Sequence, residues 1–209
     1  MDTESSLGIL ITGTGRSGTT FLTQLFLNTG YDVGDLSIES IGAEESPVGG
    51  GLEYKDFSVL NTAIRREMNK GVPVEEIAVR LREQLHICWP SVLKDPQYCF
   101  TWPVWEAAGL RPKHVVFCVR TAEEIEASVH QTLWTRDDPT FASSVFVAAH
   151  NTFAYCLLHN IPCTHVLYPR IGTDRAYAEQ ILSGLIVDPW PIIASVWDPS
   201  MCHHSSMKY

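Results

Sequence analysis

Ile9-Leu10-Ile11-Thr12-Gly13-Thr14-Gly15-Arg16-Ser17-Gly18-Thr19-Thr20 decides how the chain is read. An apolar run enters a glycine-rich turn, and Phe21, Leu22, Leu25 and Phe26 then recur at helical spacing. That order is strand, loop, helix, with the loop at the carboxyl end of the strand. Glycine lets the backbone bend tightly with its N–H groups turned inward. The helix that follows adds unpaired N–H groups and a positive dipole end, so the stretch predicts an anion cradle. The spacing from Gly13 to Gly18 matches a P-loop with one departure: Thr19 stands at the lysine position, and the fixed positive charge comes earlier, at Arg16. A phosphate-like group is expected there, held otherwise than in an ordinary nucleoside triphosphatase. The plainer alternative is a turn that only packs helix on strand.

Working outward, Tyr31-Asp32-Val33-Gly34 reads as a short second strand, and Asp35 to Gly51 as an acidic loop ending in Gly49-Gly50-Gly51. Residues 35–58 are expected to form a mobile substrate-side loop, since ordering three glycines costs much entropy. Val59, Leu60, Ala63, Ile64 and Met68 make one helical stripe ended by Gly71; Val74, Ile77, Ala78, Leu81 and Leu85 make the next, with Pro73 in its first turn. Arg65, Arg66, Arg80 and Arg82 read as solvated faces of these helices. Ser91-Val92-Leu93-Lys94 is a short strand stopped by Asp95-Pro96, and a helix is expected to begin near Pro103. His114 to Val119 is a continuous apolar strand, as in a buried parallel sheet. Thr121 with Glu124 forms a capping box for a helix to about Leu133. Another helix starts at Asp138-Pro139, Thr164 to Tyr168 is the last strand, and Asp174 to Leu185 the last helix. Residues 186–209, rich in proline and tryptophan, are expected to be an irregular covering tail.

Strands alternating with helices predict an α/β fold: a three-layer sandwich with a parallel central sheet, P-loop NTPase-like, in a single domain over residues 1–209. Ligands then bind at the carboxyl ends of the strands. The Gly13–Thr20 loop, the Lys94-Asp95-Pro96 turn, the Arg120-Thr121 turn and Tyr168-Pro169-Arg170 should gather there.

The composition, with 45% hydrophobic and 19% charged residues in 209, is that of a folded globular protein. A net charge of −9 argues against a nucleic-acid surface. No run has the length of a membrane span, and the acidic amino end lacks the features of a signal peptide. The six cysteines form no CxxC pair and several sit in apolar runs, so they read as buried thiols of a cytoplasmic protein. Neither His159 with Cys163 nor Cys202-His203-His204 makes a four-ligand spacing, and no metal site is expected. The absence of a Gly-x-Ser-x-Gly elbow leaves a hydrolase unsupported.

Arg120 ends an apolar strand, and Ser128 follows eight residues on. An arginine and a hydroxyl on a strand–helix corner can hold a second anionic group. The loop Gly15-Arg16-Ser17-Gly18-Thr19-Thr20, followed by Arg120 and Ser128 at that spacing, resembles the sulfotransferases that use 3′-phosphoadenosine-5′-phosphosulfate. Gly51-Leu52-Glu53, Leu60-Asn61 and Val92-Leu93-Lys94-Asp95-Pro96 resemble the Gly-x-x-Glu, Leu-Asn and Lys-Asp-Pro elements of a bacterial-type branch. The resemblance runs from about Leu7 to Arg170.

It implies in-line transfer of a sulfuryl group to a hydroxyl or amine of a small-molecule or lipid-linked acceptor, leaving adenosine 3′,5′-bisphosphate and needing no metal. Gly15, Arg16, Ser17, Gly18, Thr19 and Thr20 would hold the 5′-phosphosulfate, and Arg120 and Ser128 the 3′-phosphate. Lys94 would stabilise the bridging oxygen, and Glu53 is the candidate base, with Asp56, Asp95 and His130 as lesser ones. The resemblance also accounts for Thr19, because a donor with one 5′-phosphosulfate does not require the P-loop lysine. Two positions depart from the cytosolic relatives. Pro96 stands where many of them place a histidine, and no Arg-Lys-Gly element follows near the carboxyl end, where Arg170, Arg175 and Lys208 are the cations. Two other readings remain: a P-loop small-molecule kinase or nucleotidase, for which Asp95 is the one magnesium-organising acid in view, and a non-catalytic domain binding adenosine 3′,5′-bisphosphate.

Overall fold

The computed structural model describes residues 7–37, 51–85, 89–129 and 141–199. β1 (Leu7–Gly13) lies inside a four-stranded sheet between β4 (Val92–Lys94) and β5 (Pro112–Val119), with β6 (Cys163–Leu167) beyond β5. All three pairings are parallel, with Ile11 opposite Lys94, Gly13 opposite Cys118, and Val119 opposite Leu167. The strands' carboxyl ends therefore share one edge.

Side chains alternate across the pleat and divide the core in two. Ile11, Val92, Val116, Cys118 and Val166 face α1 (Thr19–Asn28), α8 (Arg175–Leu182) and α9 (Pro189–Val196). Leu10, Leu93, Val115 and Phe117 face α2 (Lys55–Asn69), α3 (Val74–Gln84), α4 (Tyr98–Ala107) and α6 (Phe141–Leu158). Because both faces are covered, Ile9–Ile11 of β1 and Val115–Val119 of β5 read as unbroken apolar runs, and the three-layer α/β architecture follows. Thr121 caps α5 (Ala122–Val129): its Oγ1 accepts from Glu124 N at 3.4 Å and lies 3.1 Å from Glu124 Oε2. The expected continuation of α5 to Leu133 and the Asp138-Pro139 helix start lie outside the described residues.

Four expectations need correction. Tyr31 to Gly34 is not a strand: Asp32 Oδ1 accepts from Gly34 N at 3.0 Å, a local turn that competes with pairing. The chain instead forms β2 (Leu36–Ser37), antiparallel to β3 (Glu53–Tyr54). The 35–58 segment is thus partly regular, since α2 already begins at Lys55, anchored by the fully buried Phe57 against Trp89 and Trp105; residues 38–50 lie outside the described residues. α4 starts five residues before Pro103 and contains it. Proline removes the bond to the carbonyl four residues back, and that carbonyl, Cys99 O, accepts from Thr152 Oγ1 of α6 at 3.3 Å. Residues 189–196 of the expected irregular tail are the helix α9, with Pro189 at its start where a missing N–H costs nothing. Trp197 follows it and packs edge-on against Phe21, their centroids 5.3 Å apart.

Candidate functional site

The loop between β1 and α1 has the backbone its glycines predict. Gly13 has φ +144° and packs on the Cys118 carbonyl, which an added Cβ would approach to 2.4 Å. Gly18 has φ +94°, and a Cβ there would lie 2.4 Å from the Tyr168 ring. Arg16, at φ +69°, turns between them, while Ser17 N and Oγ both donate to Thr14 O, at 3.2 and 2.5 Å. α1 begins at Thr19 with no side-chain cap and no acidic residue in its first turn. Its leading N–H groups and dipole end are left for an anion. Thr14 Oγ1, in the same loop, is buried without a hydrogen-bond partner among the described residues.

Two cations reach this edge from neighbouring strands. Arg120, after β5, is 6% exposed; its Nη1 donates to Arg16 O at 3.2 Å, and its guanidinium lies 5.4 Å from the centre of the Tyr168 ring. Its Nε is 3.5 Å from Glu124 Oε2 on the next turn, so the charge is shared with a buried carboxylate. Ser128 falls on α5, but its side chain lies outside the described residues. Lys94, the last residue of β4, is 3% exposed; its Nζ donates to Gly51 O at 2.6 Å and forms an ion pair with Glu53 Oε1. The Gly51 carbonyl also accepts from Thr20 Oγ1 at 3.1 Å, tying β4, α1 and the entry to β3 to one atom. Among the described residues, buried Glu53 Oε2 has no hydrogen-bond partner.

The chain order thus brings Arg16, Thr20, Lys94, Glu53 and Arg120 to one sheet edge. A charged amine and a carboxylate in contact there can stabilise developing negative charge and take up a proton.

Asp95, next to Lys94, is 1% exposed and turns away into a network that the sequence did not announce. Its Oδ2 accepts from Asn61 Nδ2 at 2.9 Å and its Oδ1 from Gln97 N at 2.7 Å, while Thr12 Oγ1 donates to its carbonyl at 3.0 Å. Asn61 Oδ1 in turn accepts from Thr101 Oγ1 at 2.5 Å and Trp105 Nε1 at 2.7 Å. Burial pushes the Asp95 carboxyl up to about 7, with the nearby Glu53 charge acting in the same direction and the hydrogen bonds and Lys94 opposing. Leu60-Asn61 and Lys94-Asp95-Pro96 each stood out in the sequence; that they hold each other did not.

Other sequence candidates lie elsewhere. Asp56 is exposed at the start of α2 and accepts from Tyr54 OH at 3.2 Å. Arg170 is held by Asp174 at 2.8 Å, and Arg175 by Glu179 at 2.7 Å. His130, Lys208 and Cys202-His203-His204 lie outside the described residues. Among the described residues no group of three or more His, Cys, Asp or Glu could hold a metal ion, and no helix is long and apolar enough to cross a membrane. Cys99, Cys118 and Cys156 are buried free thiols, and Cys163 is a half-buried one.

No protein-family model and no curated protein matches this chain. Nine chains of solved structures do. One is described as "Sulfotransferase Domain from the Curacin Biosynthetic Pathway": it is 16% identical, covers 92% of this chain and 78% of its own, and superposes with a TM-score of 0.48.

Proposed function

We propose that the protein is a sulfotransferase that moves the sulfuryl group of 3′-phosphoadenosine-5′-phosphosulfate to a hydroxyl or amine of a small-molecule or lipid-linked acceptor. The observation that carries this reading is the buried Lys94–Glu53 pair, held through Gly51 to Thr20 beside the uncapped start of α1. The pair supports this reading because a buried cation could neutralise a leaving phosphate oxygen, and Glu53 Oε2 has no hydrogen-bond partner among the described residues. The residues suit the donor: Gly15 to Thr20 offer N–H groups and hydroxyls to the 5′-phosphosulfate, and Arg120, with Ser128 two turns on, offers charge to the 3′-phosphate.

In the reaction, the acceptor oxygen or nitrogen bonds to sulfur as the bond from sulfur to the bridging oxygen breaks. Glu53 takes the acceptor's proton, and adenosine 3′,5′-bisphosphate leaves with the electron pair. Arg16 and Lys94 neutralise charge on the transferred group and leaving oxygen, as in phosphoryl transfer, where positioning and electrostatics supply most of the acceleration. A general base contributes typically ~10²–10⁴-fold. The kinase reading is weaker because both oxygens of Asp95 already accept hydrogen bonds, and burial favours its neutral form, which suits magnesium poorly.

Thermal shift tests the donor. Adenosine 3′,5′-bisphosphate without magnesium should stabilise the protein, by about 2.7 kcal/mol at a hundredfold excess over Kd. A response to ATP with magnesium alone overturns the reading. Turnover of labelled donor over an acceptor panel, lost in Lys94→Ala while the nucleotide shift persists, separates an enzyme from a domain that only binds nucleotide.

A further inference from the structure

The arginines of α2 and α3, expected to be plain solvated faces, divide into two groups. Arg80 and Arg82 of α3 are accounted for: Arg80 pairs with Glu67 and Glu76, and Arg82 donates to the carbonyls of Ala107 and Ala108. Arg65 and Arg66 have no carboxylate at ion-pair distance among the described residues. Arg65 is half-buried, its guanidinium 4.3 Å from the centre of the Phe100 ring, and burial pulls its pKa below the usual arginine value, with Asp95 the carboxylate acting against that. A cation held partly out of water without an ion pair is costly unless something supplies the opposite charge.

Both line one open groove of about 490 Å³, together with Thr62, Asn69, Lys70 and Gln97. Thr62, Arg65, Arg66 and Asn69 follow the i, i+3, i+4, i+7 spacing of one helix face. Gln97, across the groove, donates to Thr62 Oγ1 at 3.3 Å. The lining has three cations and no acid in a chain of net charge −9, although Lys70 shares its charge with Glu67 at 2.8 Å. Planar guanidinium forks beside amide and hydroxyl donors suit a polydentate oxyanion.

The walls of this groove grow out of the two halves of the ion pair. Glu53 and Tyr54 lead directly into α2, while Lys94 leads through Asp95 to Gln97, whose N–H donates to Asp95. Thr62 lies seven residues after Lys55, so the groove opens on the order of 10 Å along α2 from its first residue.

We infer that this groove binds a phosphate-type group carried by the acceptor, joined to the hydroxyl that receives the sulfuryl group by a spacer matching the ~10 Å of α2 from Lys55 to the near end of the groove at Thr62. The groove stands on its own geometry; calling its ligand part of an acceptor rests on the sulfotransferase reading, and the two are tested separately.

Arginine side-chain Nε–Hε resonances of ¹⁵N-labelled protein, titrated with inorganic pyrophosphate at constant ionic strength, read the groove directly. Saturable shifts of Arg65 and Arg66, kept in Arg16→Ala and weakened about tenfold in Arg66→Ala, are expected. Shifts that never saturate and match those from chloride, or that vanish in Arg16→Ala, overturn the groove as a site. Turnover of labelled donor is then compared for 8-hydroxyoctyl phosphate, 1,8-octanediol and the short 2-hydroxyethyl phosphate. The long phosphate should have the lowest KM, rising about tenfold in Arg66→Ala with kcat unchanged, and the diol should not respond to that substitution. Equal KM values for long phosphate and diol overturn the assignment to the acceptor. If none of the three is turned over while adenosine 3′,5′-bisphosphate still stabilises the protein, the acceptor assignment falls and the sulfotransferase reading stands; if that stabilisation is also missing, the sulfotransferase reading falls too, and the pyrophosphate titration still decides whether the groove binds an oxyanion.

Discussion

Replacing Asn61 with alanine isolates what the buried network contributes. Asn61, Thr101 and Trp105 are fully buried and Asp95 nearly so, which makes water a poor substitute for any lost bond. Truncation removes the donor to Asp95 Oδ2 at 2.9 Å and the acceptor of Trp105 Nε1 at 2.7 Å. Thr101 keeps a second acceptor, Gln97 O at 3.3 Å, so two groups are orphaned and not three. At about 1–3 kcal/mol for each unsatisfied buried group, the expected loss is about 2–6 kcal/mol, a large part of the ~5–15 kcal/mol that holds a domain together. Urea unfolding followed by tryptophan fluorescence gives the difference. The bond from Asn61 holds the Asp95 carboxyl down against burial, so its removal should also carry the Asp95 titration above about 7. A loss under about 1 kcal/mol, with the Asp95 titration unmoved, would refute the account of a fully committed network.

Three further outcomes follow from the geometry. Lys94→Met should cost about 3–5 kcal/mol by leaving Glu53 buried and unpaired, and Lys94→Met with Glu53→Leu should recover most of it; chemical denaturation of the three proteins checks this. Gly18→Ala forces a Cβ to 2.4 Å from Tyr168 at φ +94°, so it should abolish the stabilisation by adenosine 3′,5′-bisphosphate as well as lower the melting temperature. Asp95 titrates higher folded than unfolded, so its contribution is fully present below pH ~4 and is lost as pH rises to about 7. At 1.36 kcal/mol per unit, that loss is on the order of 4 kcal/mol as an upper limit, and the slope should flatten in Asp95→Asn when stability is measured from pH 4 to 8.

Local signals were read well where burial or capping imposes a pattern on neighbours in sequence. β5 is apolar from Val115 to Val119 because helices cover both faces, α3 shows its stripe, and Thr121 with Glu124 marks the start of α5. The α2 stripe was read one position off, since Val59 and Ala63 are exposed while Phe57, Asn61 and Ile64 face inward. The α4 boundary was misread because Pro103 looks like a start, while the hydroxyl that satisfies the freed carbonyl is on Thr152. α9 was hidden by prolines that suit a first turn as well as a loop. At the site, Lys94 and Arg120 could be named individually from their places at strand ends, and Glu53 from the resemblance of Gly51-Leu52-Glu53 to a family element. Their partners could not: Lys94 meets Glu53, and Asp95 meets Asn61, only through the register of β4 on β1 and the packing of α2.

The Gly51 carbonyl, which accepts from both Lys94 and Thr20, bears on the energetics of having two ligands at once. One oxygen is a shared terminus for the side chain beside Glu53 and for the first turn of the cradle helix. A ligand that displaces it alters the free energy of binding on both sides. Linkage makes that change reciprocal: whatever affinity the proposed nucleotide lends or denies to the proposed acceptor, the acceptor returns by the same factor. Titrating each ligand in the presence of the other therefore measures how firmly this oxygen joins the two halves.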